Sequence, residues 1–436
     1  MTVLPNDNLL YPKGILTYVG GGGDVRILTY GGDDVTFKNL QGGYFMPIFA
    51  KKIFQTGTTA TSLLATKADS ILVASCPFPN ATFFDGNNIC DWSFRYPITI
   101  DHTKVAGDLT NYLFYVDLSD LPSAFFSSVN PDGSDIRITI SDGETELAYY
   151  VSSIDNATNT GALWIRYEGT LSSTVDTTIY IYFGNPLAVA YLPASLYGRN
   201  ATFQDYEAFW DFEQDPSGSA PQLIDLTGNS ADATATGLSA GDLIAGKVGS
   251  AWGFGNNEYA SYSRFEVGTN NLTIGGWAKW TTTSTRGIFG ASRVGATYRY
   301  QIAQTAGNTL SYVFSTSTSF NALSAVAAND GNWKHLVMTV QRSTGNGVKG
   351  YLNGAFDVQS TTTPNNIAIT GANNPTWRIA HLNDSTGTGL YANADLEGDI
   401  SLNYLRFDVL SSDYISTEYA NQNTPSTFYT IGTIES

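Results

Sequence analysis

The side chains able to do acid–base or metal chemistry are few or poorly spaced for it. His102, His335 and His381 are the three histidines, and none stands in a spaced motif such as His-Glu-x-x-His, which argues against zinc. A Ser/His/Asp triad could draw only on these rings. The string Gly237-Leu-Ser-Ala-Gly241 matches a nucleophile elbow in letters. An elbow needs a buried strand before the serine and a helix after it. Here Ala233-Thr-Ala-Thr236 precedes and a short stretch to Gly246 follows, so we read a loop. The run Gly20 to Gly23 lacks a following Gly-Lys-Ser/Thr and reads as a turn, not a phosphate cradle. A glycoside hydrolase needs two carboxylates about 5–10 Å apart across a sugar. The 39 acids contain no local motif that singles out such a pair. No catalytic residue is assigned, and the chain is expected to be no enzyme and to require no cofactor. Binding chemistry remains. A sugar site joins polar groups to an exposed ring, and the loop tyrosines Tyr259, Tyr262, Tyr298 and Tyr391 qualify by type.

The elements that must position such groups are strands. In Asp135-Ile-Arg-Ile-Thr-Ile140 the isoleucines share one face and Arg137 and Thr139 the other, the period of a half-buried strand. Similar runs, punctuated by Gly, Asn, Asp and Ser, fill the chain, with a brief helical candidate over residues 411–421. The fold class is all-β: a small N-terminal β module over 1–69, a connector over 70–90, a β-sandwich over 91–190 and a jelly roll over 203–436. Trp277 and Trp333 sit in alternating patterns and are expected to fill the space between two sheets. Asn353-Gly354 signals a two-residue hairpin.

Charge and composition exclude several partners. A formal charge of −17 repels phosphate backbones and anionic bilayers, so neither nucleic-acid binding nor membrane insertion is expected. Charged residues are only 14%, so Ser, Thr, Asn and Gly must carry the surface. Cys76 and Cys90 are too few for a disulfide scaffold and read as two thiols not needed for stability. The first residues lack a basic stretch followed by an apolar one, so no secretory signal is read. Synthesis in a bacterial cytoplasm with release on a particle is the expected route.

The third block resembles the laminin-G-like, concanavalin A-like jelly roll. Its carriers, in the family's order, are Phe209-Trp-Asp-Phe-Glu213, Asp225-Leu-Thr-Gly-Asn229, Gly246-Lys-Val-Gly-Ser-Ala-Trp-Gly-Phe254, Leu272-Thr-Ile-Gly-Gly-Trp-Ala278, Asp330-Gly-Asn-Trp-Lys-His335 and Gly350-Tyr-Leu-Asn-Gly354. The second block, from Trp92 to Asn185, is similar to a domain of unassigned function that precedes such jelly rolls in surface proteins, and residues 413–429 resemble the way those units end. The first block is similar to spike-base proteins of tailed phages and gene-transfer agents, through Leu16-Thr-Tyr-Val-Gly20, Asp34-Val-Thr-Phe37, Pro47 and Thr56-Gly-Thr-Thr-Ala60.

These resemblances imply a phage virion spike or fibre protein that displays a glycan-binding or adhesive jelly roll on the virion surface; the alternatives are a bacterial surface adhesin of the same domain types and a virion-associated glycan depolymerase. Residues 1–69 would bind other copies and capsid or other virion proteins, and the jelly roll a host surface glycan. The candidate core of that module is Ile27, Val35, Phe37, Phe45, Ile48, Ile53 and Phe54, with the run Tyr44-Phe-Met-Pro-Ile-Phe-Ala50 expected to pack partly on a neighbour. The jelly-roll resemblance also implies a structural calcium held by Glu213, Asp225 and Ser401, the last standing where the family carries an acid. Asp225 and Asn229 have a plainer reading, a turn closed on their own backbone.

Overall fold

A computed structural model describes residues 15–29, 32–67, 92–292, 298–316, 318–371 and 374–435. Two compact units result, Met1–Cys90 and Asp91–Ser436. The first is a five-stranded antiparallel sheet in the order Asp34–Leu40, Gly23–Thr29, Tyr44–Ile53, Ile15–Gly21, Thr61–Lys67. Val25 and Ile27 alternate inward to join Val19, Met46, Ala50, Ile53 and Leu63 in its core. Phe37 packs against that core, Val35 is half-buried, and Phe54 lies under the Arg26 guanidinium at 4.4 Å. The side chains of Phe45 and Ile48, and both Cys76 and Cys90, lie outside the described residues. The string Thr56-Gly-Thr-Thr-Ala60 is a turn that Gly57 permits at φ +88. Its threonines fasten the neighbouring strand: Arg26 N donates to Thr58 Oγ1 (3.0 Å) and Asp24 N to Thr59 Oγ1 (2.8 Å).

The second unit holds four sheets. A three-stranded sheet orders Leu109–Asp117, Thr160–Leu171 and Ala148–Asp155; a four-stranded one orders Tyr429–Ile431, Phe94–Ile100, Thr177–Phe183 and Arg137–Ile140. Together they form the sandwich. The jelly roll packs an eight-stranded sheet on a seven-stranded one. Trp210, Trp252, Trp280 and Trp377 are buried between those sheets with Ile274, Ile302, Ile400 and their neighbours. Strands Val348–Leu352 and Ala355–Gln359 form the hairpin expected at Asn353-Gly354, both turn residues having positive φ (51° and 76°).

The sequence boundary between 190 and 203 separates sheets but not cores. One cluster runs from Ile98, Phe114 and Trp164 of the sandwich to Trp277, Val337 and Tyr404 of the jelly roll, and on to Tyr414, Ile415 and Phe428. Trp277 therefore departs from expectation. Strand Leu272–Trp280 is buried on both faces: Leu272, Ile274, Ala278 and Trp280 point between the jelly-roll sheets, and Trp277 points the other way, into this seam. Trp333 packs against the seam too, half-buried.

Helix Ser412–Asn423 fills the seam. Ser411 caps it, accepting from Tyr414 N at 3.1 Å. Its buried polar side chains Thr417, Glu418, Asn421 and Gln422 face neighbouring elements instead of solvent. Asn421 Oδ1 accepts from Tyr115 N and its Nδ2 donates to Tyr115 O, both at 2.8 Å, so a side-chain amide stands in for a strand neighbour. Glu418 Oε2 accepts from Tyr404 Oη (2.7 Å) and lies 3.1 Å from His335 Nε2. Trp277 Nε1 donates to Gln422 Oε1 (2.6 Å). After the helix, Tyr429–Ile431 pairs with Phe94–Ile100 and completes the sandwich sheet.

Candidate functional site

The seven-stranded sheet turns one face to the jelly-roll core and the other away from it, and its central strands are buried on both. Strand pairing aligns Tyr262, Trp377, Ala291, Tyr300, Phe314 and Phe320 in an inner row. One residue along each strand, the outer row reads Ser261, Arg378, Gly290, Gln301, Val313 and Asn321. The period of two makes the second row polar because the first is apolar. At Gly290, φ +122 and the approach of Tyr300 O leave no room for a Cβ, so the row has a bare position between Arg378 and Gln301. The Gln301 carbonyl oxygen is buried and has no hydrogen-bond partner among the described residues.

Arg378 is the fixed point of this face. Its Nε donates to Asn383 Oδ1, its Nη2 donates to Thr388 O (2.7 Å), and its guanidinium lies 4.6 Å from the Tyr259 ring centre. Asn383 is held in turn, donating through Nδ2 to Ser292 O and Thr376 O. His381 packs edge-on against Tyr259. Its Nε2 lies 3.1 Å from Asp395 Oδ1, and its Nδ1 lies 2.7 Å from Leu382 O. Burial pushes this imidazole below its ordinary range, against the pull of Leu382 O and Asp395.

Of the loop tyrosines, Tyr259 and Tyr391 belong to this group. Tyr391 joins it through its backbone, Tyr391 N donating to Leu382 O, and the residue is 41% exposed. Tyr262 lies on the inner row against Phe265, and Tyr298 leans on the jelly-roll core. Sequence reasoning passed over Arg378, Asn383 and Asp395. The legible signal was the alternation Trp377-Arg-Ile379, which forces Arg378 outward once Trp377 is core.

The trio read as calcium ligands does other work. Asp225 accepts from Phe209 N, Thr227 N, Thr227 Oγ1 and Ala231 N, which closes its turn. Glu213 accepts from Ser250 N (2.9 Å) and Ser250 Oγ (2.7 Å). Ser401 Oγ accepts from Lys247 N and Val248 N and faces the carbonyls of Val248 and Ser250. Glu213 and Ser401 thus share one loop, whereas Asp225 serves the turn beside Phe209. A cation wanting six to eight oxygens would have to displace these protein donors, so the residues present do not fit one. Asp211, also buried, accepts from Ser152 Oγ of the sandwich, and burial raises the carboxyl pKa of both Asp211 and Glu213. Ser239 opens a short turn, donating to Asp242 Oδ2 at 2.9 Å, which is the loop expected there. Among the described residues one group, Asp101, His102 and Asp176, brings three metal-ligating atoms within 4.8 Å, and His102 Nδ1 already lies 2.6 Å from Asp176 Oδ1.

Comparison with known proteins follows this architecture. No curated protein sequence matches the chain. Among solved structures, domain 4 of AbnA, a GH43 extracellular arabinanase from Geobacillus stearothermophilus in complex with arabinotriose, is 22% identical over 50% of this chain and 98% of its own, with a TM-score of 0.38. The binding domain of Paraclostridial Mosquitocidal Protein 1 is 13% identical over 50% of this chain and 52% of its own (TM-score 0.36). A heptameric SAP-like pentraxin from Limulus polyphemus is 17% identical over 34% of this chain and 68% of its own (TM-score 0.28). Residues 132–218 match the family model of a domain of unknown function (DUF2341), which reaches past the sandwich into the opening strand of the jelly roll. Residues 254–401 match that of the concanavalin A-like lectin/glucanases superfamily, and the C-terminal half of the chain carries a concanavalin A-like jelly roll.

Proposed function

We propose that this chain is a non-enzymatic glycan-binding protein of a phage virion, which displays the outer face of its seven-stranded jelly-roll sheet. The observation that carries the binding reading is the edge of the outer row, where the half-buried Tyr259 stacks on the buried Arg378 and the 41% exposed Tyr391 joins Leu382 O through its backbone. Such an edge offers aromatic rings held in place by buried polar partners. The role as a binder is supported by the engagement of Asp225, Glu213, His335 and His381, which serve a turn, a loop, the seam and a strand neighbour. Virion display rests on the resemblance of the first block to spike-base modules.

A glycan array probed with the intact chain tests the binding reading. A defined glycan should be retained, and Tyr391→Ala should weaken it about tenfold, ~1.4 kcal/mol. Retention of none, or release of shortened glycan products, would reject it. Deleting residues 1–69 tests the display reading: the remainder should stay folded and fail to enter particles.

A further inference from the structure

The chain contains two Asn-Gly pairs, Asn346-Gly347 and Asn353-Gly354. Such a pair carries its own chemistry. The backbone nitrogen that follows an asparagine can attack the side-chain amide carbon, and a glycine there puts no side chain in the way. Both asparagines take positive φ, 58° at Asn346 and 51° at Asn353, which asparagine tolerates. The two differ in what holds them.

Asn353 is gripped through main chain and side chain by one neighbour. Its N donates to His335 O (2.8 Å), and its Oδ1 accepts from His335 N (3.1 Å). Gly354 lies close on Tyr419, where an added Cβ would come 2.6 Å from the tyrosine Cβ. Ring closure at this pair would draw Oδ1 away from His335 and leave its N–H bare.

Asn346 lies in the exposed loop that joins strands Lys334–Val340 and Val348–Leu352. Among the described residues its side-chain amide makes no hydrogen bond, and neither its own C=O nor the Gly347 N–H is bonded. No hydrogen bond therefore holds the electrophile, the nucleophile or the peptide plane between them. The loop is anchored on either side instead, with Gln341 N donating to Gly347 O (2.8 Å) and Ser343 N to Pro364 O (2.7 Å). The fold demands glycine at 347, since a Cβ there would come 2.1 Å from Gln341 O.

We infer that Asn346 is a site of spontaneous covalent modification, converting through a cyclic imide to aspartate and isoaspartate, whereas Asn353 is protected. The Gly347 nitrogen bonds to Asn346 Cγ. The Cγ–Nδ2 bond breaks, and Nδ2 leaves as ammonia with the proton that Gly347 N gives up. Water then opens the imide. Cleavage at Cγ leaves aspartate, and cleavage at the main-chain carbonyl leaves isoaspartate. No reactant besides water is needed, and either product adds one negative charge to the loop.

The test is ageing of the full chain in mildly alkaline buffer, followed by tryptic peptide mass mapping. Cleavage after Arg342, Lys349 and Arg378 puts the two asparagines on separate peptides, 343–349 and 350–378. In the folded chain residue 346 should convert at least about tenfold faster than residue 353 and yield both isomeric acids, because folded structure shields one pair and not the other. In urea the two rates should come within about twofold. Asn346→Gly, which suits the φ of +58 at that position, should remove the fast conversion. Absence of conversion at 346 in the folded chain, or equal rates at the two sites there, overturns the inference. A gap that persists in urea overturns it too, because the residues flanking each pair, and not the fold, would then set the rate.

Discussion

Strand Leu272–Trp280 shows two kinds of burial back to back. On one side Trp280 and Ile274 lie among the apolar side chains between the jelly-roll sheets. On the other, Trp277 meets Gln422, His335 and Tyr419, in a seam threaded by Glu418, Asn421 and several tyrosine hydroxyls. The interior needs volume, and volume can be refilled in several ways. The seam needs partners at fixed positions, because each buried polar group left bare costs about 1–3 kcal/mol. The jelly roll is thus held together by shape, and its attachment to the sandwich by matched donors and acceptors.

The largest break in this contrast is removal of residues 411–436. The sandwich then loses strand Tyr429–Ile431 and the side chains that complete Tyr115 and Tyr404. Amide hydrogen exchange should show residues 94–183 stripped of protection. Native protection there would mean that the seam does not close the sandwich.

Next comes Trp210→Ala inside the jelly roll, expected to cost about 3–5 kcal/mol in denaturant unfolding. The contrast sharpens with a matched pair. Ile400→Leu, a volume-conserving change in the interior, should cost under about 1.5 kcal/mol. Asn421→Leu, similar in volume, leaves the Tyr115 N–H and C=O without their partner and should cost about 2–4 kcal/mol, one unmet bond each way. Equal costs for the two would erase the distinction.

Acidity gives a smaller effect of definite sign. Burial raises the folded-state pKa of Asp211 and Glu213, so the folded form holds these protons more tightly than the unfolded chain. Their contribution is full below the ordinary carboxyl values near 4 and is lost as pH rises through the elevated ones. Asp211→Asn should therefore melt about 2–4 °C above the parent at pH 7, the shift ~1 kcal/mol produces, with the gap closing towards pH 4. Turn acids such as Asp132, Asp142 and Asp330 are lowered and act in the opposite sense, but they are common to both proteins and cancel in the difference. The smallest effect is chelation. With the Asp225 and Glu213 oxygens engaged by protein donors, EDTA should move the melting temperature by under about 1 °C, and a larger fall would return a metal to the structure.

What the sequence made legible was local. Alternation exposed the strands, Asn353-Gly354 its hairpin, and the aspartate of Asp225-Leu-Thr-Gly-Asn229 its turn, because each signal lies within a few residues. The face chosen by Trp277 was not legible. A strand buried on both sides reads the same as one buried on either, and the side chains that cover Trp277 come from the far end of the chain. Arg378, Asn383 and Asp395 escaped for the same reason, since what joins them to Tyr259 is pairing between strands distant in sequence. Of the tyrosines chosen by type, Tyr259 lies on the outer face, Tyr391 is exposed in a loop, and Tyr262 and Tyr298 sit against the core, because residue type does not say which side of a sheet a ring takes.

The closing strand has a consequence for how the protein is made. Asp117 N reaches Tyr429 Oη across 312 residues of chain. A ribosome delivers Phe94–Ile100 long before its partner Tyr429–Ile431. At ordinary rates of about 5–20 residues per second, the wait is roughly 15–60 seconds. During that interval the sandwich sheet has an open edge, the kind of surface that recruits stray strands. A chain released early keeps that edge for good. Segment Tyr429–Ile431 therefore acts as a latch, since only a polypeptide translated past it can shut this edge of the sandwich.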